Sequence, residues 1–308
     1  MNLLVLEGPD GTGKTTLARA LEKRGYQYVH NGPPPEGVGL FEHYTRQLLK
    51  SFDQKVVFDR LHLGELIYGP VMRGKSLITV EQFRLLNRLL FSIGGKIVFC
   101  DTDNPSIERN WMACRGEEYL TDLYKLYNVI FKYRELVQQE LDTKDVWVYS
   151  YQASSGKFLM KEIEELGVPS KIQGDWCPPG VLGRPDNKFL FIGERVNPEL
   201  SFGQDLAFYS MENSAGFFNR CLWEAGYQEH ELAFTNALDL DHQSRDLYDL
   251  WTRRREQVVV TLGKVAHEAC VNQAVPHLAA PHPQFIKRFE LKKRGEYVEL
   301  LNRFRGGL

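Results

Sequence analysis

The feature that most restricts the fold of this 308-residue chain begins at residue 8. The stretch reads Gly8-Pro9-Asp10-Gly11-Thr12-Gly13-Lys14-Thr15 and fits the pattern G-x-x-x-x-G-K-[ST]. The apolar run Leu3–Leu6 precedes it, and the helical pattern Thr16–Leu21 follows it. In that order, backbone N–H groups and a helix N-terminus can surround phosphate oxygens. The pattern therefore predicts a phosphate-binding loop, and the alternative is an ordinary glycine-rich turn.

The residue types in the loop indicate a nucleoside triphosphate as the ligand. Lys14 has the length and charge to reach the β and γ phosphates, and the hydroxyl of Thr15 can bind Mg²⁺. We therefore expect ATP and Mg²⁺ as cofactors, with Thr15 as the metal ligand. The predicted cofactor-binding residues are Gly8, Pro9, Asp10, Gly11, Thr12, Gly13, Lys14, Thr15 and Thr16.

The composition predicts a globular protein of two domains. Hydrophobic residues make up 43% of the chain and charged residues 25%, which excludes a disordered or fibrous protein. A chain of 308 residues is long enough for two domains of ordinary size. Because 38 Lys and Arg face 40 Asp and Glu, bulk positive charge cannot drive binding, although a local basic patch is compatible with this balance.

No segment of the sequence predicts export or membrane anchoring. The start lacks a basic segment, and no stretch approaches the roughly 18 apolar residues of a membrane span. We therefore expect a cytoplasmic protein with no membrane partner. The cysteines are far apart and form no C-x-x-C pair, which favours reduced thiols over a disulfide frame or a zinc site. They are Cys100, Cys114, Cys177, Cys221 and Cys270.

The chain reads as two α/β segments joined by a connecting stretch. Residues 1–166 alternate apolar runs with helical patterns, which predicts a parallel sheet flanked by helices. Residues 167–187 are rich in Pro and Gly and indicate a linker or an ordered loop, and residues 188–308 repeat the α/β pattern. The expected strands are Leu3–Leu6, Tyr26–Val29, Lys55–Phe58, Lys96–Cys100, Asp145–Tyr149, Phe189–Ile192, Leu232–Phe234, Val258–Leu262 and Leu278–Ala279, and the expected helices of the second segment are Ser214–Ala225, Lys264–Val271 and one C-terminal helix from Gln284.

Four stretches of the first segment carry a family resemblance: Leu6–Thr16, Val56–Arg60, Asn104–Arg109 with Arg115–Tyr119, and Tyr127–Tyr133. Together they resemble thymidylate kinases. The resemblance implies a P-loop nucleotide-kinase fold in which Arg60 holds the acceptor, Asp59 lies beside metal and acceptor, and Arg109 and Arg115 belong to a lid.

The candidate catalytic residues suit the charge of phosphoryl transfer. The work of the protein in such a reaction is positioning and charge neutralisation, and a lid also excludes water. The candidates are Lys14, Asp59, Arg60, Arg109 and Arg115. The alternatives are a solvated amphipathic helix for the two lid arginines and an ion pair at a strand end for Asp59 and Arg60.

Two departures from that family concern the acceptor. Where thymidylate kinases usually carry Thr-Arg-Glu-Pro, this chain reads His30-Asn31-Gly32-Pro33-Pro34-Pro35, without an arginine. After Arg60, the stretch Leu61–Pro70 replaces the usual serine and Ala-Tyr-Gln segment. The acceptor pocket therefore differs, so ATP as donor has better support than a free deoxynucleoside monophosphate as acceptor.

Five stretches of the second segment carry a second resemblance: Phe191–Glu194 with Asn197–Pro198, Asn213–Phe218, Phe234–Ala237, Val258–Ala266 and Pro281–Gln284. In this order they resemble the uracil-DNA glycosylase superfamily, with Gln284 where that family usually has serine. The resemblance implies a DNA-binding, base-flipping domain with Glu194 or Asn197 and His282 as base-site candidates. The alternatives are an ion pair of Glu194 with Arg195 and an ordinary loop histidine.

The C-terminal end carries a local basic patch. Between Gln284 and Leu308 there are seven basic residues against three glutamates, and Phe285, Phe289 and Tyr297 lie among them. We expect this patch, with Lys287 and Arg288, to contact DNA phosphates. The alternative is a solvated amphipathic helix packed by Phe289 and Leu300. The basic residues are Lys287, Arg288, Lys292, Lys293, Arg294, Arg303 and Arg305, and a further run is Arg253–Arg255.

A nucleotide-kinase fold joined to a base-flipping fold predicts a phosphate acceptor on a base within DNA. The combination resembles phage 5-hydroxymethyluracil DNA kinases, which phosphorylate the hydroxymethyl group during thymidine hypermodification. This implies DNA as partner and the host cytoplasm as location, and Asp59 or Asp10 is then the candidate general base. Three rivals remain open: a thymidylate or other deoxynucleotide kinase with an accessory DNA-binding or glycosylase domain, a bifunctional enzyme with glycosylase activity, and a non-catalytic, ATP-dependent DNA-binding module.

Overall fold

The computed structural model describes residues 2–33, 37–114, 120, 122–141, 146–151, 180–198 and 204–307. The chain divides into two compact units, Met1–Gln173 and Gly174–Leu308. Each unit contains a parallel sheet accompanied by helices. The α/β class predicted from the sequence is confirmed.

The first unit is built on a five-stranded parallel sheet in the order β2-β3-β1-β4-β5. The central strand, β1, pairs with β3 at Leu3 and Val56 and with β4 at Leu4 and Lys96. Every residue of β1 is buried, which explains its unbroken apolar run. The strands are β1 (Leu3–Glu7), β2 (Gln27–His30), β3 (Val56–Asp59), β4 (Lys96–Cys100) and β5 (Val146–Tyr149).

Four helices of the first unit begin at a capping side chain or after the glycine of the phosphate loop. Gly13, at φ 82, precedes α1, and Leu17 and Leu21 of that helix pack against Leu4 and Leu6 of β1. Thr79 and Gln82 form a capping box at the start of α4, while Asp103 and Asp122 cap α5 and α6. The helices are α1 (Lys14–Glu22), α2 (Leu40–Lys50), α3 (Leu63–Arg73), α4 (Val80–Ser92), α5 (Asn104–Ala113) and α6 (Leu123–Glu140).

The second unit has a four-stranded parallel sheet in the order β7-β6-β8-β9. Phe189 of β6 pairs with Leu232 of β7 on one side and Val258 of β8 on the other. The strands are β6 (Phe189–Gly193), β7 (Leu232–Asn236), β8 (Val258–Leu262) and β9 (Leu278–Ala280), and the helices are α7 (Asn213–Glu224), α8 (Leu247–Arg253), α9 (Lys264–Asn272), α10 (Pro283–Phe289) and α11 (Arg294–Gly306).

Two strands of the first unit lie one residue later than expected. β2 covers Gln27–His30 rather than Tyr26–Val29, and β3 covers Val56–Asp59 rather than Lys55–Phe58. The apolar pattern stops before each polar strand end, yet the register pairs His30 directly with Asp59. Both strands therefore carry polar side chains to the edge of the sheet. The predicted fifth strand is present from Val146, and Asp145 lies outside the described residues.

The single C-terminal helix expected from Gln284 is wrong. α10 ends at Phe289, a short 3₁₀ turn covers Leu291–Lys293, and α11 follows. The break lies at Glu290, whose φ of −132° and ψ of 33° leave the helical region. Tyr297, expected among the surface aromatics, is buried, and its hydroxyl donates to the Pro281 carbonyl at 3.2 Å.

Another correction concerns the basic run at residues 253–255. Arg254 is buried, and its guanidinium donates to the backbone carbonyls of Arg184 at 3.0 Å and Gly183 at 3.3 Å. It therefore holds the segment before β6 and does not belong to a basic surface. In the same segment, which is the described end of the expected linker, Leu182 forms an antiparallel bridge with Phe234.

The helices in the described part of the chain lack the combination of length and hydrophobicity needed to cross a bilayer. Cys100, Cys114, Cys221 and Cys270 are free thiols, and Cys177 lies outside the described residues.

Candidate functional site

The phosphate loop connects the carboxyl end of β1 to α1 and is held between β4 and α5. At Gly8, with φ 145, a Cβ atom would lie 2.2 Å from the Cys100 carbonyl oxygen. At Gly11, with φ 81, a Cβ atom would lie 2.7 Å from the Ile107 carbonyl oxygen. Only glycine combines these backbone angles with such close approach. The spacing of glycines in the motif thus reflects contacts to two neighbouring elements.

Lys14 opens α1, and its side chain turns back into the loop. The Nζ atom donates to the Pro9 carbonyl at 2.6 Å, and Thr12 Oγ1 donates to the same oxygen at 2.8 Å. The Lys14 side chain is buried; this burial, together with the nearby Arg60 guanidinium, lowers the pKa of Lys14. Its ammonium group lies where a loop-bound phosphate would need positive charge.

Asp59, the last residue of β3, lies beside the first turn of α1. Its Oδ2 atom accepts hydrogen bonds from Thr15 Oγ1 at 2.8 Å and from the Tyr28 hydroxyl at 3.1 Å, and His30 Nδ1 lies 3.5 Å away. Asp59 is buried, and its Oδ1 atom has no hydrogen-bond partner among the described residues. The structure therefore brings two predicted site residues, Thr15 and Asp59, into contact. Tyr28 and His30 were not identified from the sequence, since they alternate with apolar residues like any strand.

Arg60 follows β3 and closes over the phosphate loop. Its guanidinium forms an ion pair with Asp10, donates to the Gly8 carbonyl at 3.4 Å, and lies 4.5 Å from the centre of the Tyr68 ring. The backbone of Arg60 is in the left-handed region, with φ 69. That conformation is uncommon for a side chain of this size and aims it back across the loop. The predicted acceptor residue is therefore paired with a residue of the loop itself.

Thr15 and Asp59 supply oxygen atoms that suit Mg²⁺. The hydroxyl and the carboxylate are in direct contact, and the unpaired, buried Asp59 Oδ1 is available as a further ligand or as an acceptor for a metal-bound water. Among the described residues, no group of three or more His, Cys, Asp or Glu gathers around one point. Mg²⁺ commonly binds through one or two protein oxygens together with phosphates and water. The residues at this position fit that ion.

Glu7, at the carboxyl end of β1, is a site residue that sequence reasoning missed. Its Oε1 atom accepts from the Leu61 N–H at 2.8 Å, and Oε2 accepts from the Tyr133 hydroxyl at 2.9 Å. Complete burial raises the pKa of Glu7, although these hydrogen bonds and Arg60 oppose the shift. The available signal was a carboxylate at the end of an otherwise apolar strand. Glu7 fixes the chain that follows Arg60 and ties it to α6.

Helix α5 contacts the phosphate loop through an amide side chain. Asn110 Nδ2 donates to the Gly11 carbonyl at 2.9 Å and lies 2.7 Å from the Tyr151 hydroxyl. Arg109 is the adjacent residue and is exposed on the same helix. Arg115 lies outside the described residues. Of the two predicted lid arginines, the structure therefore places Arg109 next to a residue that contacts the loop.

The segments that depart from the thymidylate kinase pattern support the backbone after β3. Asn31 Nδ2 donates to the Arg60 carbonyl at 2.8 Å, and Gln47 Nε2 donates to Asn31 Oδ1 at 2.9 Å. His62 Nε2 lies 2.7 Å from Asn87 Oδ1, and burial lowers the pKa of His62 to about 4. These amides thus stabilise the turn that carries Arg60.

In the second unit, Glu194 and His282 lie at the carboxyl ends of β6 and β9. His282 caps α10, because its Nδ1 atom accepts from the Gln284 N–H at 3.1 Å. Burial lowers the pKa of His282, and the nearby Glu194 carboxylate opposes that shift. Gly263, with φ 88, leaves room for the imidazole, since a Cβ there would lie 2.8 Å from His282 Cβ. Asn197 is exposed a few residues beyond Glu194.

Two further side chains reach the same edge of the second sheet. Asn236 ends β7 and is buried, and its Oδ1 atom would lie 2.5 Å from a Cβ placed on Gly193. Atoms of the Phe208 ring would lie 2.8 Å from that Cβ. Gly193 therefore admits an amide and an aromatic ring at one strand end. Phe208 lies outside regular structure, at φ 58, and had no periodic signal.

The basic surface of the second unit includes Lys287 and Arg288 on α10. Both are exposed, and Lys287 Nζ donates to the Asn213 carbonyl at 3.2 Å. Phe285 is 49% exposed and Phe289 73%, with ring centres 5.7 Å apart. Phe289 therefore does not pack a helix against the core, as the alternative interpretation expected. Basic and aromatic side chains share this surface.

The relatives found by sequence comparison match about half of this chain. No protein-family model matches the chain. A Bacillus subtilis (strain 168) protein named SPbeta prophage-derived uncharacterized protein YorR is 26% identical over 168 residues, covering 53% of this chain and 94% of that protein. A Salinispora tropica protein named nucleotide-binding protein is 26% identical over 172 residues, covering 53% of this chain and half (50%) of that protein.

Similar solved structures include YorR and a deoxyadenosine kinase. YorR from Bacillus subtilis in complex with phosphorylated GDP is 25% identical, with a TM-score of 0.44 over 54% of this chain and 95% of that one. Deoxyadenosine kinase from M. mycoides with dCMP and dCDP is 16% identical, with a TM-score of 0.36 over 53% of this chain and 98% of that one. The same kinase with dATP gives 13% identity and a TM-score of 0.37, over 54% of this chain and 99% of that one.

Proposed function

We propose that this protein is an ATP-dependent kinase that phosphorylates the 5-hydroxymethyl group of 5-hydroxymethyluracil within DNA, a step in phage thymidine hypermodification. The contact between Thr15 and Asp59, at 2.8 Å in a phosphate loop that also buries Lys14, carries the assignment to phosphoryl transfer. A hydroxyl, a carboxylate and an ammonium in and beside this loop support a site that holds Mg²⁺ and phosphate. The name of the Salinispora tropica relative, nucleotide-binding protein, agrees with this part of the proposal.

The loop residues would act by positioning and neutralising charge. Backbone N–H groups of the loop and the Lys14 ammonium would hold the phosphates of ATP. Mg²⁺, when bound by Thr15 and Asp59, would neutralise charge on the transferring phosphate. Asp59 already accepts hydrogen bonds from Thr15 and Tyr28, so we assign it to the metal side of the site.

The pairing of Arg60 supports a hydroxyl acceptor without a phosphate of its own. A nucleoside monophosphate brings a phosphate dianion that an arginine would have to neutralise, but the charge of Arg60 is already balanced by Asp10. The segment beginning His30-Asn31 offers no replacement arginine. A hydroxymethyl group is uncharged, so it needs a proton acceptor but no additional cationic side chain.

Asp10 is the residue we assign as that proton acceptor. One of its oxygens, Oδ2, is buried without a hydrogen-bond partner among the described residues, while Arg60 orients the other. As the acceptor oxygen forms its bond to the γ-phosphorus, the bond from that phosphorus to the β-phosphate bridging oxygen breaks. ADP leaves, and the hydroxyl proton passes to Asp10.

The second unit would present the base. The resemblance to base-flipping proteins, the proximity of Glu194 and His282, and the exposed Lys287 and Arg288 beside Phe285 support DNA as its ligand. Asn197 remains a further base-site candidate. The prophage origin of the Bacillus subtilis relative supports a phage setting for the reaction.

The proposal is tested by phosphate transfer from labelled ATP and Mg²⁺ to three acceptors: DNA containing 5-hydroxymethyluracil, the same DNA with thymine, and free thymidine monophosphate. Nuclease digestion and mass analysis then locate the label. Label on the modified base within DNA is the expected result. Label on the free monophosphate alone would establish the rival nucleotide kinase. Release of free base without ATP would identify a glycosylase, and nucleotide binding without any transfer would leave a regulatory module.

A further inference from the structure

A groove of about 560 Å³ runs along the exposed side of α1. It begins at the two threonines that end the phosphate loop and reaches the last turn of the helix. Three of its lining side chains are cationic; Arg19 is ion-paired with Glu22, so Lys23 and Arg24 supply the positive charge that an anion would meet. The lining residues are Thr15, Thr16, Arg19, Ala20, Lys23 and Arg24.

The cations of this groove are connected to the phosphoryl-transfer site. The Arg19 guanidinium lies 4.4 Å from the centre of the Tyr28 ring and donates to Glu22 at 2.8 Å. Tyr28 in turn donates to Asp59, the carboxylate that contacts Thr15. One side of the groove is therefore fixed to the residues assigned to the metal.

A fourth positive charge, that of Lys55, lies near the far end of the groove. Lys55 Nζ donates to the Arg24 carbonyl at 3.3 Å and lies 5.0 Å from the centre of the Tyr26 ring. Lys23 and Arg24 are exposed at this end. From Thr15 to Glu22, α1 rises about 10 Å, and Lys23 and Arg24 follow, which is room for two successive phosphates of one strand.

We infer that this groove binds backbone phosphates of the DNA strand that carries the acceptor base. Thr15 and Thr16 join the groove to the donor site, but Lys14, which would hold the donor phosphates, is buried and does not line the groove, and the cations Lys23 and Arg24 lie at the opposite end of α1. The groove is open to solvent, so the backbone of one strand can lie along α1 within reach of Lys23 and Arg24. The inference rests on the proposed DNA acceptor and adds a second DNA contact, in the first unit and next to the chemistry.

The ordinary role of basic residues at this place supplies the matched control. Lys23 and Arg24 follow the last helical residue of α1, where a cation is favourable beside the helix dipole. Lys50 ends α2 in the same way, is exposed, and lies outside the groove. Lys23→Glu and Lys50→Glu therefore make the same charge change at two helix ends, and only the first alters the groove.

The test measures binding of fluorescent single-stranded DNA by anisotropy over a range of salt concentrations, with a non-hydrolysable ATP analogue present. Lys23→Glu should weaken DNA binding about threefold to tenfold and lower the slope of log affinity against log salt by about 0.7, the value for one lost contact to a single strand. Lys50→Glu should match the wild type. Affinity for the ATP analogue should be equal in all three proteins.

Equal DNA affinity and salt slope for the two variants would overturn the inference. A loss of affinity for the ATP analogue in Lys23→Glu would overturn it as well, because the groove would then hold the donor. The proposed function fails separately: a protein that transfers no phosphate to DNA while Lys23 still governs DNA binding retains the groove and loses the kinase assignment. If the protein transfers phosphate to DNA and Lys23→Glu leaves the KM for DNA unchanged, the kinase assignment stands and the groove inference fails.

Discussion

The Asp10 carboxylate in the phosphate loop is ion-paired with the Arg60 guanidinium at the end of β3, leaving Asp10 Oδ2 without a hydrogen-bond partner in the described part of the chain. If this oxygen receives the acceptor proton, Asp10→Asn should lower kcat about 100-fold and leave the affinity for ATP unchanged. Single-turnover transfer to DNA containing 5-hydroxymethyluracil measures the first quantity and equilibrium titration the second. Full kcat in this variant would remove Asp10 from the role.

Lys14→Ala should abolish phosphoryl transfer, by at least about 100-fold, without unfolding the protein. The side chain neutralises phosphate charge, while its hydrogen bond to Pro9 is one of two that this carbonyl accepts. Circular dichroism and the urea midpoint check the fold, and Lys50→Ala serves as the control for loss of a lysine. Retained transfer would show that another cation meets the phosphates.

Thr15 offers a pair of variants that separates its hydroxyl from its shape. Thr15→Ser keeps the oxygen that contacts Asp59 and should retain most activity, whereas Thr15→Val keeps the shape and loses the oxygen. We expect Thr15→Val to need a much higher Mg²⁺ concentration for half-maximal rate and to lose at least about tenfold in kcat. Metal titrations of both variants measure this difference. Identical titrations would exclude Thr15 as a metal ligand.

The buried His62 makes the stability of the protein depend on pH. Its pKa is lowered by burial from 6.5 to about 4, so the folded state holds it neutral where the unfolded chain would protonate it. The free energy of unfolding therefore keeps its full value above pH 6.5. It falls as the pH drops from 6.5 toward 4, by about 3 kcal/mol in total, because the unfolded chain binds the proton first. Urea unfolding across this range should show a shallower decline for His62→Gln, which keeps a polar partner for Asn87. Parallel profiles of the two proteins would contradict the assignment.

Glu194 and His282 in the second unit predict a measurable coupling. Burial lowers the pKa of His282 and the Glu194 carboxylate raises it, so the imidazole should titrate below 6.5, and Glu194→Gln should move its pKa lower still. NMR titration of the His282 ring protons measures both values. Glu194→Asp, which keeps the charge, should stay closer to the wild type. If Glu194→Gln leaves the pKa of His282 unchanged, the two residues are not electrostatically coupled.

The sequence predicts parts of the site that depend on local spacing and misses parts that depend on distant pairing. The phosphate loop from Gly8 to Thr15 can be predicted from the sequence because it needs particular residue types at fixed positions. The ion pair of Asp10 with Arg60 joins residues that follow different strands and are 50 positions apart, so the sequence around either residue does not predict it. Glu7 was hidden for the same reason, since its partners Leu61 and Tyr133 come from later elements.

Surface interpretation from sequence is limited in a related way. Arg254 belongs to a basic run by sequence, yet it is buried and satisfied by backbone carbonyls. Tyr297 is buried while Phe285 and Phe289 are exposed, because α10 and α11 are separate helices. Helix breaks without proline, such as the one at Glu290, leave little trace in the pattern of apolar residues.

The central position of β1 has a consequence for how the protein is made. Its apolar residues pair with strands that begin at Val56 and Lys96, so on the ribosome β1 emerges before either neighbour has been synthesised. Until β4 has left the exit tunnel, the apolar run Leu3–Leu6 lacks one of its two neighbouring strands and is prone to aggregate. Slow synthesis of the first hundred or so residues should therefore increase dependence on chaperones more than slow synthesis of the second unit.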